Sequence, residues 1–113
     1  MIDLLFVYGT LRRGCDNDWA RKLHAQSDFV GTARVRGQVY RTGAYTGLVD
    51  DVDGWVSGEV FRLREPEPLF AELDDYEGSD YERVVRDADL ADSAVVRVHL
   101  YRYRHPVSGQ TPV

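Results

Sequence analysis

Cysteine is nearly absent from this chain. Cys15 stands alone among 113 residues, which excludes a disulfide within the chain and fits a reducing, cytoplasmic setting. Lysine is as scarce: Lys22 is the only one beside thirteen arginines, and nineteen acids bring the net charge to −5. Those arginines are interleaved with acids, so no basic stripe forms and nucleic acid is not an expected partner. Long hydrophobic runs are missing as well. Met1–Val7 is apolar but too short to span a membrane, and it lacks the basic flank of a signal peptide. No repeat, low-complexity tract or linker divides the sequence, so one domain over residues 1–113 is expected.

What is present suits a globule. Hydrophobic residues make up 43% and charged residues 29%, and a domain of this length buries roughly two-thirds of the surface that its unfolded chain exposes. Ile2–Tyr8 reads as a first strand, so continuously apolar that both faces should be covered. It runs straight into Tyr8-Gly9-Thr10-Leu11 and two arginines closed by Gly14, a strand meeting a turn. Asp18 should cap a short helix to about Ala25, with Trp19, Leu23 and Lys22 along its apolar side. Phe29–Arg41 reads as a strand in which Gly31 and Gly37 mark bulges or corners. Gly43–Gly54 reads as a loop, and Trp55–Leu63 as a strand bent at Gly58. The run Glu65-Pro66-Glu67-Pro68 opens a helix, since proline is tolerated in a first turn and acids there face the positive end of the dipole. Its stripe is Leu69, Phe70, Leu73 and Tyr76, and Gly78 ends it. Tyr81–Val85 and Ala94–Tyr103 complete the strands. In the last, Val96, Val98 and Leu100 share one face while Arg97, His99 and Tyr101 share the other. The order predicts an α+β domain: a small mixed β-barrel, closed or half-closed, with one or two short helices packed outside.

The chemistry centres on LDDYEGSDYERV, Leu73–Val84. Asp74 and Asp75 fall in the last helical turn and Glu77 at its end. There a carboxylate faces unpaired carbonyls, which opposes its ionisation by about 0.3–1 kcal/mol, less than one pKa unit. A larger shift needs apolar walls, which Tyr76 and Tyr81 could supply. Two readings fit this stretch: a solvated acidic helix end, or a carboxyl poised for proton transfer.

Other candidates carry less. Asp50, Asp51 and Asp53 before Gly54 lack the ligand spacing and closing glutamate of a calcium loop, and a hairpin turn is the simpler reading. His24, His99 and His105 share no metal-ligand spacing, so no metal site is expected and they read as surface or strand-face residues. Cys15, Thr10 and Ser79 have no partnered base nearby. Arg12 and Arg13 read either as guides for an acidic ligand or as ordinary exposed arginines.

Four stretches together carry a resemblance: FVYGTLRRG (6–14), GQVYRTGAYTGLV (37–49), VSGEVFRL (56–63) and LDDYEGSDYERV (73–84). In kind and order they resemble the γ-glutamylcyclotransferase-like proteins, which include γ-glutamylamine cyclotransferases and AIG2-type proteins. The resemblance implies a small mixed barrel with outer helices. It implies that Tyr8, Gly9, Thr10 and Leu11 form the substrate-binding loop, that Glu77 is the catalytic acid/base, and that Tyr81 stands near the pocket. The implied reaction turns a γ-glutamyl amine or amide into 5-oxoproline by attack of the substrate's own α-amine, without a cofactor. The implied partner is that small molecule, with the protein a monomer or homodimer. A binding module on the same fold, holding a small carboxylate without converting it, is the alternative. The chain departs from the family at Thr46, where proline is frequent, and at its carboxyl end, where Ser-Gly-Gln-Thr-Pro-Val replaces a final segment with Gly-Asp-Trp. The second departure puts closure of the barrel or pocket in question.

Overall fold

The computed structural model describes residues 2–43 and 45–113; Met1, the start of the apolar stretch, and Ala44, inside the expected loop, lie outside them. Strand β1 (Leu4–Val7) is buried along its whole length. Its side chains alternate between two cores, as a strand's period of two requires. Leu4 and Phe6 join Val35, Val60, Val98 and Leu100 inside the barrel. Leu5 and Val7 join Leu23, Phe61, Leu69 and Phe70 beneath the helices. Both faces of β1 are therefore covered, as its apolar run predicts.

Eight strands follow one another in a single sheet. With β2 (Ser27–Arg36), β3 (Gln38–Thr42), β4 (Tyr45–Val49), β5 (Trp55–Leu63), β6 (Tyr81–Leu90), β7 (Val95–Tyr103) and β8 (Thr111–Pro112), the order is β1-β5-β2-β6-β7-β4-β3-β8. A parallel contact at Leu5↔His99 joins β1 to β7. Five strands thus close into a barrel, and closure removes the exposed edges of that sheet. The remaining strands form an arm: β4 lies parallel to β7 at Leu48↔Arg102, and β3 and β8 follow it outward. The carboxyl-terminal Thr111–Pro112 pairs with this arm, so barrel closure does not depend on it.

Helix α1 (Asp18–Ala25) buries Ala20 and Leu23, and helix α2 (Pro66–Glu77) buries Leu69, Phe70 and Leu73. Both lie on the outer side of the barrel wall. After α2 comes one 3-10 turn, Gly78–Asp80, entered through Gly78 at φ 74°. That left-handed value is why glycine stands there.

Several expectations need correction. The cap of α1 is Asn17, one residue before Asp18, because its side chain accepts the Ala20 N–H at 2.8 Å. The expected strand Phe29–Arg41 is two, β2 and β3, parted at Gly37, while the bulge expected at Gly31 falls between Phe29 and Gly31. The expected loop Gly43–Gly54 holds a full strand, β4. Its return to β5 is no hairpin, since β4 pairs with β3 and β7 and not with β5. Asp50 there receives Arg86 at 2.9 and 2.8 Å and Arg102 at 2.8 Å. The hydrogen bond from Arg86 leads the causes that hold its carboxyl down at about 2. Tyr76 leaves the α2 stripe: it is exposed and stacks on Trp19, ring centroids 4.6 Å apart. Among the described residues no helix is long and apolar enough to cross a membrane.

Candidate active site

Where β1 leaves the barrel, the chain turns through Tyr8-Gly9-Thr10-Leu11, and across from this loop lies the end of α2. Between them is a cleft of about 370 Å³ lined by the loop, Tyr45, Thr46, Tyr76, Glu77, Asp80, Tyr81 and Tyr101. The structure therefore brings together all the residues expected at a site: Tyr8, Gly9, Thr10, Leu11, Glu77 and Tyr81.

The loop is held by its carbonyls. Gly9 O accepts the Arg12 N–H at 3.3 Å and Arg12 Nε at 3.0 Å. Thr10 O accepts Asn17 Nδ2 at 2.8 Å, and Leu11 O contacts His24 Nε2 at 2.8 Å. Among the described residues the amide N–H groups of Gly9, Thr10 and Leu11 have no acceptor. A backbone turn with its carbonyls tied off and its N–H groups free is a ready acceptor of anions. Leu11 contributes through its backbone, since its side chain is only 6% exposed and packs in the core beneath the helices.

Tyr8 is anchored at its far end. Its hydroxyl donates to Tyr101 O at 2.9 Å and accepts the Leu48 N–H at 3.1 Å. Tyr81 donates its hydroxyl to Thr46 O at 2.7 Å. Burial pushes both phenols above their ordinary range, so they stay protonated and act as donors.

Glu77 is the outlier. Its carboxyl is pushed from an ordinary 4.5 up to about 7, and burial is the cause. No protein donor caps it among the described residues. The walls do the work: the tyrosine rings of the cleft exclude water and supply no compensating cation. At this helix end Glu77 is partly buried against the cleft, while Asp74 and Asp75 remain exposed.

That shift has a cost in stability. Below pH 4.5 Glu77 is protonated folded or unfolded and contributes nothing to the pH dependence. Between 4.5 and 7 the unfolded chain ionises first, so stability falls as pH rises, and it levels off above 7. Glu77→Gln removes this penalty. Thermal unfolding should show the variant about 2–3 kcal/mol more stable than wild type at pH 8 and equal to it at pH 4.

Sequence reasoning missed the residues that shape the loop. Asn17 both caps α1 and holds Thr10, and His24, read as a surface residue, holds Leu11. Asn17→Ala should cost about 1 kcal/mol of stability in urea unfolding. Asn17→Asp keeps the cap but cannot donate to Thr10, so it should stay stable while binding an anionic ligand more weakly. Arg13 is occupied elsewhere: its N–H donates to Glu59 at 2.6 Å and its guanidinium lies 3.4 Å from the Phe29 ring centroid. Arg12 spends its Nε on the loop. His99 packs on Phe70, and its buried Nδ1 has no partner among the described residues. Among those residues no group of three or more His, Cys, Asp or Glu side chains could hold a metal ion.

Comparison with known proteins gives a family and a fold. The family model described as gamma-glutamyl cyclotransferase, AIG2-like matches residues 5–113. No curated protein matches. YkqA from Bacillus subtilis is 27% identical at a TM-score of 0.76, over 100% of this chain but only 38% of YkqA. An AIG2-like protein from Mus musculus is 24% identical at 0.77, over 93% of this chain and 80% of its own. A gamma-glutamyl cyclotransferase is 15% identical at 0.68, over 90% and 66%. At their identities the last two establish the shared fold.

Proposed function

Since the chain belongs to the gamma-glutamyl cyclotransferase, AIG2-like family, we propose that it releases 5-oxoproline from a γ-glutamyl amine or amide, with Glu77 as general acid/base. The observation that carries this reading is a partly buried carboxyl, pushed up to about 7 by that burial, across a cleft from a loop of unoccupied N–H groups. An acid/base is most effective when its pKa lies near the working pH, because it can then both take and return a proton.

The steps follow from the substrate's own bonds. The loop amides receive its carboxylate and the oxyanion that develops on the γ-carbonyl. Glu77 takes a proton from the α-amine, whose nitrogen attacks the γ-carbonyl carbon and closes a five-membered ring. The resulting tetrahedral species collapses as the bond to the leaving nitrogen breaks, and Glu77 returns the proton to that nitrogen. Holding amine and carbonyl in contact contributes several kcal/mol. Each well-placed oxyanion donor contributes about 10²–10³ in rate.

The test is direct. Wild type and Glu77→Gln are incubated with a panel of γ-glutamyl amines and dipeptides, and 5-oxoproline is measured by mass spectrometry. Product from wild type and almost none from the variant is expected. Saturable binding of a panel member without any product would replace the enzyme with a binding module.

A further inference from the structure

Glu77 rides on the last turn of α2, and that turn has little apolar anchorage. The buried residues of the helix stop at Leu73, while Asp74, Asp75 and Tyr76 are exposed. On one side Tyr76 stacks on Trp19 of α1. On the other, Asp74 Oδ1 accepts the Tyr101 hydroxyl at 2.7 Å and lies 3.0 Å from Arg83 Nε. Arg83 is itself fixed, its guanidinium 4.3 Å from the centroid of Phe70. Asp74 precedes Glu77 by three residues, so the two share a helix face.

Tyr101 makes a second bond at its other end. Its main-chain carbonyl accepts the Tyr8 hydroxyl at 2.9 Å, and its side chain lines the cleft. One residue of β7 therefore holds the loop through its backbone and the helix end through its hydroxyl. No other described residue is bonded to both walls.

We propose that the Tyr101–Asp74 hydrogen bond, backed by Arg83, is the positioning link of the site, fixing the reach from the Glu77 carboxyl to the Tyr8–Leu11 amides. The inference rests on Glu77 being the acid/base. Because the link sets where a proton is taken and not where the ligand is held, it acts on turnover and leaves affinity alone. A displacement of about 1 Å at a reacting group costs up to roughly 10² in rate.

The test uses the full chain and the γ-glutamyl compound that wild type converts fastest. Tyr101→Phe, which removes only the hydroxyl, should lower kcat roughly 10- to 100-fold while KM stays within about twofold. Asp74→Ala should do the same, and the double variant should be no worse than either single one, since both break one link. Asp74→Asn, which keeps an acceptor oxygen for the hydroxyl but loses the charge opposite Arg83, should recover most of the turnover. A purely structural role would move melting temperature and leave kcat per folded molecule unchanged. Wild-type kcat in folded Tyr101→Phe, or losses that multiply in the double variant, overturns the link. Glu77→Gln runs in the same assay: if it retains turnover, the acid/base reading itself has failed. If it is inactive while Tyr101→Phe is unimpaired, only the link has.

Discussion

Glu77→Gln should lower kcat by about 10²–10⁴ while ligand affinity changes little. Gln keeps the size and shape of Glu and retains an oxygen, so the cleft keeps its walls. No protein donor is bonded to the carboxyl among the described residues, so the exchange leaves no partner unpaired there. What disappears is the ability to take a proton from an amine and return it to a leaving nitrogen. Burial pushes the Glu77 carboxyl up to about 7, so with Glu77 as the base wild-type kcat/KM should rise with pH up to about that value. In the variant that limb should vanish along with the rate. The companion effect is opposite in sign: the same substitution should stabilise the fold above pH 7, which separates lost activity from lost structure. A folded Glu77→Gln protein within tenfold of wild-type turnover would falsify the assignment.

How much of this was legible in the sequence differs between local and long-range features. Trp55–Leu63 and the helix ending at Ala25 carry their own signals, an alternating run and a helical stripe, and the structure returns both elements with the cap of α1 moved to Asn17. The end of α2 was legible too, because Gly78 marks it. What local pattern cannot show is where a strand is paired. Phe29–Arg41 reads as one strand, yet it splits at Gly37 because β2 belongs to the barrel and β3 to the arm. Tyr45–Val49 hides among Gly, Thr and Asp, and it is a strand because β3 and β7 flank it. The site divides the same way. Glu77 stands out locally as a carboxylate on the wrong end of a helix dipole, but its burial comes from tyrosines on β6 and β7 and from the loop after β1. Tyr101 was placed on the correct face of its strand, with nothing to indicate that its two ends would meet Tyr8 and Asp74. Those partners lie 93 and 27 residues away, beyond the reach of any periodicity.

Gly58→Ala should be the most damaging single methyl in the barrel. The sequence suggests a bend at Gly58; the structure shows a close approach. A Cβ there would lie 2.3 Å from the Val7 carbonyl oxygen and 2.6 Å from Phe6 Cζ. The oxygen belongs to the backbone and cannot swing aside, and the ring is 1% exposed, deep inside the barrel. Either β1 shifts off β5 or the Phe6 ring leaves its packing. Overpacking of this kind costs about 3 kcal/mol or more, against a total stability of roughly 5–15 kcal/mol for a domain. The melting temperature should fall by roughly 15 °C. Gly31→Ala on the neighbouring strand is the control: its Cβ would meet only Leu90 Cδ2, at 4.0 Å, and stability should hardly change. The damage should also reach the cleft. Val7 is the last residue of β1, so moving its carbonyl moves Tyr8 and the amides beyond it. Gly58→Ala that remains folded at low temperature should therefore bind a γ-glutamyl ligand more weakly than wild type. If it melts with wild type, β1 and β5 are not held as tightly as the barrel requires, and the loop's position has to come from its tied carbonyls alone.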